Sequence, residues 1–151
     1  MNCFRPLLLI LIFSFLPVQD EFVIFQAEDT GVKTGNNQYE ISLPFKILDG
    51  YYIQAEKGVP ENIIPTQVTF QKNKLYEITG YEILPLEEKS IFLDTIEHKV
   101  WSNDFRIRVL IKVNDKSRSL TKQLTGEVVY QACNNKQCFY PRNLNFEIDF
   151  I

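Results

Sequence analysis

Histidine, methionine and tryptophan each occur once in this sequence, and cysteine only three times. So few ligands cannot furnish the four donors of a usual zinc site. Two thiolates admit at most a Cu(I) site, because copper accepts soft ligands; no metal and no cofactor is expected. There is no glycine-rich loop to cradle a phosphate. Positive charge is not in excess either: 16 Lys and Arg stand against 19 Asp and Glu, giving a formal charge of −3. The basic residues are scattered, so no cationic stripe exists to track a phosphate backbone. A nucleic-acid partner is excluded on that ground. The one histidine, His98, has no serine or cysteine motif beside it and reads as a surface or edge residue.

Long apolar runs are absent beyond the N-terminus. Leu7–Leu16 is almost wholly apolar, follows Arg5, and is broken by Pro17. At ten residues it is half the ~20 needed to span a bilayer, and it fits the apolar region of a secretory signal. Residues 1–19 are therefore expected to be a signal peptide and 20–151 one exported domain, periplasmic or secreted, with no membrane span in the mature chain. Cys3 precedes the apolar run and would leave with it. That leaves Cys133 and Cys138, which should pair in an oxidising compartment.

What is present speaks for β structure. Hydrophobic residues make up 45% and aromatics 13% of the chain, enough apolar surface for a packed core. The dominant period is two. Tyr39, Ile41, Leu43, Phe45 and Ile47 alternate with more polar neighbours, and Pro44 suggests that this strand lies on an edge. Phe105 to Val113 and Leu144 to Phe150 alternate in the same way. Shorter strands are expected at Val68–Phe70, at Tyr76–Leu84 with an interruption at Gly80, and along Val128, Tyr130 and Ala132. Leu84 to Lys99 carries Pro85 and several charges, and reads as a long loop or a loosely formed edge. No segment after the signal has helical periodicity. Six to nine short strands over about 130 residues indicate an all-β fold of the immunoglobulin-like β-sandwich kind.

The most informative stretch runs from Gly126 to Pro141. A strand enters Cys133, and Asn134-Asn135 supply turn chemistry. With a four-residue loop, Asn134 to Gln137, the two cysteines would face each other across a hairpin. Opposed strand residues lie about 4.5–5.5 Å apart at Cα, within the range a disulfide needs. As a staple this bond would do little: a ring of about six residues is worth roughly 2 kcal/mol by loop closure. At a loop tip it would be open to an attacking thiolate.

Tyr130-Gln131-Ala132-Cys133, followed by Cys138 and Pro141, resembles the active-site hairpin of the DsbD N-terminal domain family. Asp49-Gly50-Tyr51-Tyr52-Ile53 and Ile64-Pro65-Thr66-Gln67-Val68-Thr69-Phe70 resemble two further segments of that family, in the same order. The resemblance spans Tyr39 to Ile151. It implies an immunoglobulin-like fold that passes electrons by dithiol–disulfide exchange between thioredoxin-like proteins in the periplasm. It further implies that Cys138 forms the mixed disulfide, that Cys133 resolves it, and that Tyr52 lies beside the pair. Tyr130, Gln131 and Tyr140 are expected as neighbours of the site. A mobile cap loop bearing an aromatic residue should fall within Ile91 to Trp101, with Phe92 and Trp101 as candidates. Four residues separate the cysteines where the best-known member has five, and Gln54 stands where a tyrosine is expected. The family's membrane domain and its thioredoxin-like domain have no counterpart in the sequence. Electrons would then come from a separate thioredoxin-like protein or a membrane-embedded disulfide reductase acting in trans. Two functions stay open at this point: an exchange module, or a non-catalytic secreted binding domain whose disulfide is structural.

Overall fold

The computed structural model describes residues 21–151; the expected signal segment lies outside them. Ten strands succeed one another: β1 Val23–Phe25, β2 Gly31–Thr34, β3 Gln38–Ile47, β4 Tyr52–Gln54, β5 Gln67–Phe70, β6 Tyr76–Leu93, β7 Ile96–Val113, β8 Lys122–Tyr130, β9 Ala132–Cys133 and β10 Arg142–Phe150. They form two antiparallel sheets. The larger runs β1-β3-β7-β4-β9, with β2 also on β3 and β6 on β7; the smaller runs β10-β8-β5. The fold is an immunoglobulin-like β-sandwich.

Alternation decides which faces meet. On β3, Tyr39, Ile41, Leu43, Phe45 and Ile47 are buried. On β7, Phe105, Ile107, Val109, Ile111 and Val113 are buried beside them. The small sheet answers with Leu124, Val128, Phe146, Ile148 and Phe150. Phe45 stacks on Phe105 at 4.9 Å within the large sheet and meets Phe146 of the small sheet edge-on at 5.7 Å. Each such side chain contributes about 1.5–3 kcal/mol by leaving water, so these aromatics clamp the two layers together.

Three sequence expectations are corrected. β3 is an interior strand, paired with β7 on one side and with β1 and β2 on the other. Pro44 is tolerated because its carbonyl, and hence its hydrogen-free nitrogen, faces the gap between β1 and β2, where Gln26 N–H donates to Pro44 O at 3.0 Å. No β3–β7 ladder bond is lost. Leu84 to Lys99 is no loop, although its first arm is an edge, as the alternative reading expects: among the described residues β6 pairs only with β7, and the two strands close at Asp94-Thr95, both with positive φ (49° and 73°). That is the twist a two-residue hairpin turn demands. Finally, Val128, Tyr130 and Ala132 do not share one strand. The chain leaves the small sheet after Tyr130 and enters the large one at Ala132.

Among the described residues no helix is long and apolar enough to cross a membrane.

Candidate functional site

Gln131 is the hinge between the sheets, and its side chain anchors the cysteine hairpin. Its side-chain oxygen accepts Ile64 N–H at 2.9 Å, and its amide nitrogen donates to Phe139 O at 2.9 Å. The base of the hairpin is thereby tied to the connection before β5. Beyond it, Asn134 Oδ1 accepts the N–H groups of Lys136 and Gln137 at 2.8 and 2.9 Å. Asn134 N–H donates to Gln137 O at 2.9 Å, and Phe139 N–H donates to Ala132 O at 2.8 Å. These two backbone bonds bracket Cys133 and Cys138 as a non-hydrogen-bonded pair, the register in which facing side chains lie closest. The cysteines form a disulfide, with Cα atoms 3.9 Å apart. The turn is the four-residue Asn134–Gln137 loop read from the sequence.

Gln131→Ala should lower stability by about 1–2 kcal/mol, since it deletes two hydrogen bonds. The check is urea unfolding: the midpoint should fall with an unchanged m-value.

The exposure of the two sulfur-bearing residues is unequal. Cys133 is fully buried, whereas Cys138 is partly open to solvent. β4 lies against β9, with Tyr52 opposite Cys133 and Ile53 opposite Ala132. On its other side β4 meets β7, with Ile53 opposite Trp101 and Gln54 opposite Val100. Cross-strand partners share a face, and so do residues two apart. One face therefore gathers Tyr52, Gln54, Val100, His98 and Cys133, and Lys89 joins them, its ammonium 4.6 Å from the centre of the Tyr52 ring. The opposite face sends Ile53, Ala132 and Trp101 into the core.

Gln54 is the polar centre of that face. It is fully buried. Its Nε2 donates to Cys133 Sγ at 3.0 Å, lies 3.5 Å from Cys138 Sγ, and is 3.0 Å from His98 Nδ1. Its Oε1 is buried without a hydrogen-bond partner among the described residues, a defect that costs about 1–3 kcal/mol. The backbone is held as well: Gln54 N–H donates to Gln131 O at 3.0 Å, and the buried Thr66 hydroxyl donates to Gln54 O. His98 is only 5% exposed, against the expectation of a surface or edge residue. Burial pushes its pKa below the ordinary histidine value, because the charged ring is cut off from water. The ring is accordingly neutral near pH 7, and Nδ1 can accept the Gln54 N–H.

The other expected neighbours fall at varying distances. Tyr52 stands beside Cys133. Tyr130 points into the core, where its hydroxyl accepts Phe22 N–H at 3.2 Å and burial raises its pKa. Phe22 in turn stacks on Phe139 at 4.7 Å, beneath the second arm of the hairpin. Tyr140 is 84% exposed next to that arm. Trp101 is a core residue, its indole N–H donating to Glu88 at 2.9 Å. Phe92 stands 66% exposed near the β6–β7 turn, outside the core. On sequence alone His98 is set aside as a surface or edge residue, and Gln54 appears only as a departure from a family pattern. Among the described residues no three His, Cys, Asp or Glu side chains converge as metal ligands.

No protein-family model matches the sequence, and no curated protein matches it. Solved structures do resemble the fold. The N-terminal periplasmic domain of ScsB from Proteus mirabilis superposes with a TM-score of 0.52 at 13% identity, over 77% of this chain. This chain spans 43% of the length of that ScsB structure. The N-terminal domain of Neisseria meningitidis DsbD in its reduced form gives a TM-score of 0.45 at 15% identity, over 80% of this chain and 83% of that one. At such identity the likeness is one of architecture: this chain shares the fold of the matched part of the N-terminal periplasmic domain of ScsB.

Proposed function

We propose that this chain is a thiol–disulfide exchange module that passes electrons between thioredoxin-like partners, or from a membrane-embedded disulfide reductase, through Cys133 and Cys138. The observation that carries the reading is the unequal exposure of one disulfide at a hairpin tip: Cys138 reachable, Cys133 buried. A partner thiolate attacks Cys138 Sγ. The Cys133–Cys138 bond breaks, a partner–Cys138 bond forms, and the electron pair departs on Cys133 Sγ. A second partner thiolate then attacks the partner's own sulfur and expels Cys138 as thiolate. The chain gains two electrons and the partner becomes a disulfide; the reverse sequence reduces a partner. The resemblance of the hairpin residues to the DsbD family supports the same reading, and with it an exported, periplasmic location.

The test is the equilibrium reduction potential of the pair in glutathione or dithiothreitol buffers, read by mass spectrometry after alkylation. Exchange proteins lie between roughly −200 and −270 mV, and structural disulfides below about −300 mV. A value in the first range is expected. A value in the second would overturn the proposal and leave a disulfide-stapled binding domain.

A further inference from the structure

We infer that Gln54 is the hydrogen-bond donor to the Cys133 sulfur when the disulfide opens, and that His98 is a positioning residue that aims the Gln54 amide at it. The inference rests on the exchange reading and adds two residues to it. Breaking the disulfide at Cys138 leaves the negative charge on Cys133, whose side chain has no access to water. A buried anion needs a donor, and bonds to a charged acceptor are about twice as strong as those to a neutral one. The Gln54 amide nitrogen already sits 3.0 Å from that sulfur. Its hydrogen bond is therefore weak in the disulfide and strong in the thiolate, the difference that lowers a barrier.

The orientation of the amide is set by its surroundings. Both sulfurs of a disulfide offer only lone pairs. Turned the other way, Gln54 would press its oxygen against them. The remaining amide hydrogen needs an acceptor, and His98 Nδ1, which accepts in the tautomer protonated at Nε2, lies 3.0 Å away. Gln54 Oε1 stays buried without a hydrogen-bond partner among the described residues. An apolar side chain of similar size would remove that unpaired oxygen but would leave the disulfide without a donor and the buried His98 Nδ1 without its partner. A buried polar atom without a protein partner calls for an explanation, and a redox role for the side chain that carries it is one. The hydrogen bonds from Gln54 N–H to Gln131 and from Thr66 to Gln54 O hold the donor in place before the reaction starts.

The experiment reads the Cys133 thiol alone. In a Cys138→Ser background the thiolate absorbance at 240 nm gives its pKa, with no exchange partner required. Adding Gln54→Met should raise that pKa by about one unit, a tenfold change in acidity. In the native cysteine pair the same substitution should slow reduction by dithiothreitol about tenfold. Gln54→Leu repeats the test should the methionine fail to fold. His98→Asn keeps an acceptor near the Nδ1 position and should stay close to the parent, while His98→Phe should move most of the way to Gln54→Met. Thermal unfolding accompanies each variant. An unchanged Cys133 pKa in a folded Gln54 variant would overturn the donor role. Equal behaviour of His98→Asn and His98→Phe would overturn the positioning role. A pKa that responds to Gln54 while the pair's potential stays in the structural range would sink the exchange reading and leave the donor contact standing.

Discussion

Cys133→Ser should yield a chain that halts at a mixed disulfide, and Cys138→Ser a chain that forms almost none. With Cys133 gone, the Cys138 thiolate remains partly exposed at the hairpin. It can attack the disulfide of a small oxidant or of a thioredoxin-like protein, expelling one thiolate. No second thiol of the site is present to break the adduct. With Cys138 gone, Cys133 lies fully buried beneath the turn and reacts only when the hairpin opens. An opening that costs about 3 kcal/mol slows the reaction on the order of 100-fold. Both variants lose the same bond, worth roughly 2 kcal/mol by loop closure, so stability cannot account for the contrast. Oxidised glutathione serves as the small probe, and mass spectrometry counts the adducts with time. Near-complete labelling of Cys133→Ser and slow labelling of Cys138→Ser are expected. Equal rates would mean that burial does not distinguish the two sulfurs, and the assigned direction of attack would fail.

The parts of the site legible in the sequence are the local ones. The Asn134 turn, the spacing of the cysteines and the approach of the strand all act within a few residues. Strands such as β3 and β10 were equally legible, because one buried and one solvated face impose a period of two. The far end of the β6–β7 hairpin obeys no such rule. Leu86, Glu87, Glu88, Ser90, Phe92 and Glu97 alternate poorly, since much of this arm meets water on both faces. Its turn also uses Thr95 at positive φ, where a β-branched residue is an uncommon choice. Pro44 misled for a related reason. A strand can accept proline wherever its nitrogen faces a gap, and only the pairing of β1 and β2 along β3 reveals the gap. His98 and Gln54 could not be joined by pattern at all. They are 44 residues apart and meet because β4 is inserted between β7 and β9.

Gly126→Ala should be the most damaging glycine-to-alanine change among the described residues, and it should damage folding without altering the chemistry. Gly126 lies in the middle of β8, opposite Phe70 on one neighbour and Phe146 on the other. A Cβ placed there would lie 2.4 Å from Phe146 Cζ and 2.6 Å from the backbone oxygen of Thr69. Neither can yield easily. The Phe146 ring is held by Phe25, Phe45 and Phe70, with ring centres 5.8, 5.7 and 5.9 Å away. The Thr69 oxygen belongs to a paired strand. Overpacking of this kind costs about 3 kcal/mol, which should lower Tm by on the order of 10 °C in a domain of this size. Differential scanning calorimetry reads the shift. Phe146→Leu trims the ring that obstructs the new methyl, so a double-mutant cycle should show that the two changes together cost less than their sum. A Tm within about 2 °C of the parent would mean that β8 and β5 separate at little cost. The exchange site should feel none of this below the transition, because β8 ends at Tyr130 and the hairpin beyond it is held by Gln131, Asn134 and Gln54. Unfolding at a lower temperature with an unchanged rate of reduction by dithiothreitol at 25 °C would separate the sandwich that presents the cysteines from the few residues that set their reactivity.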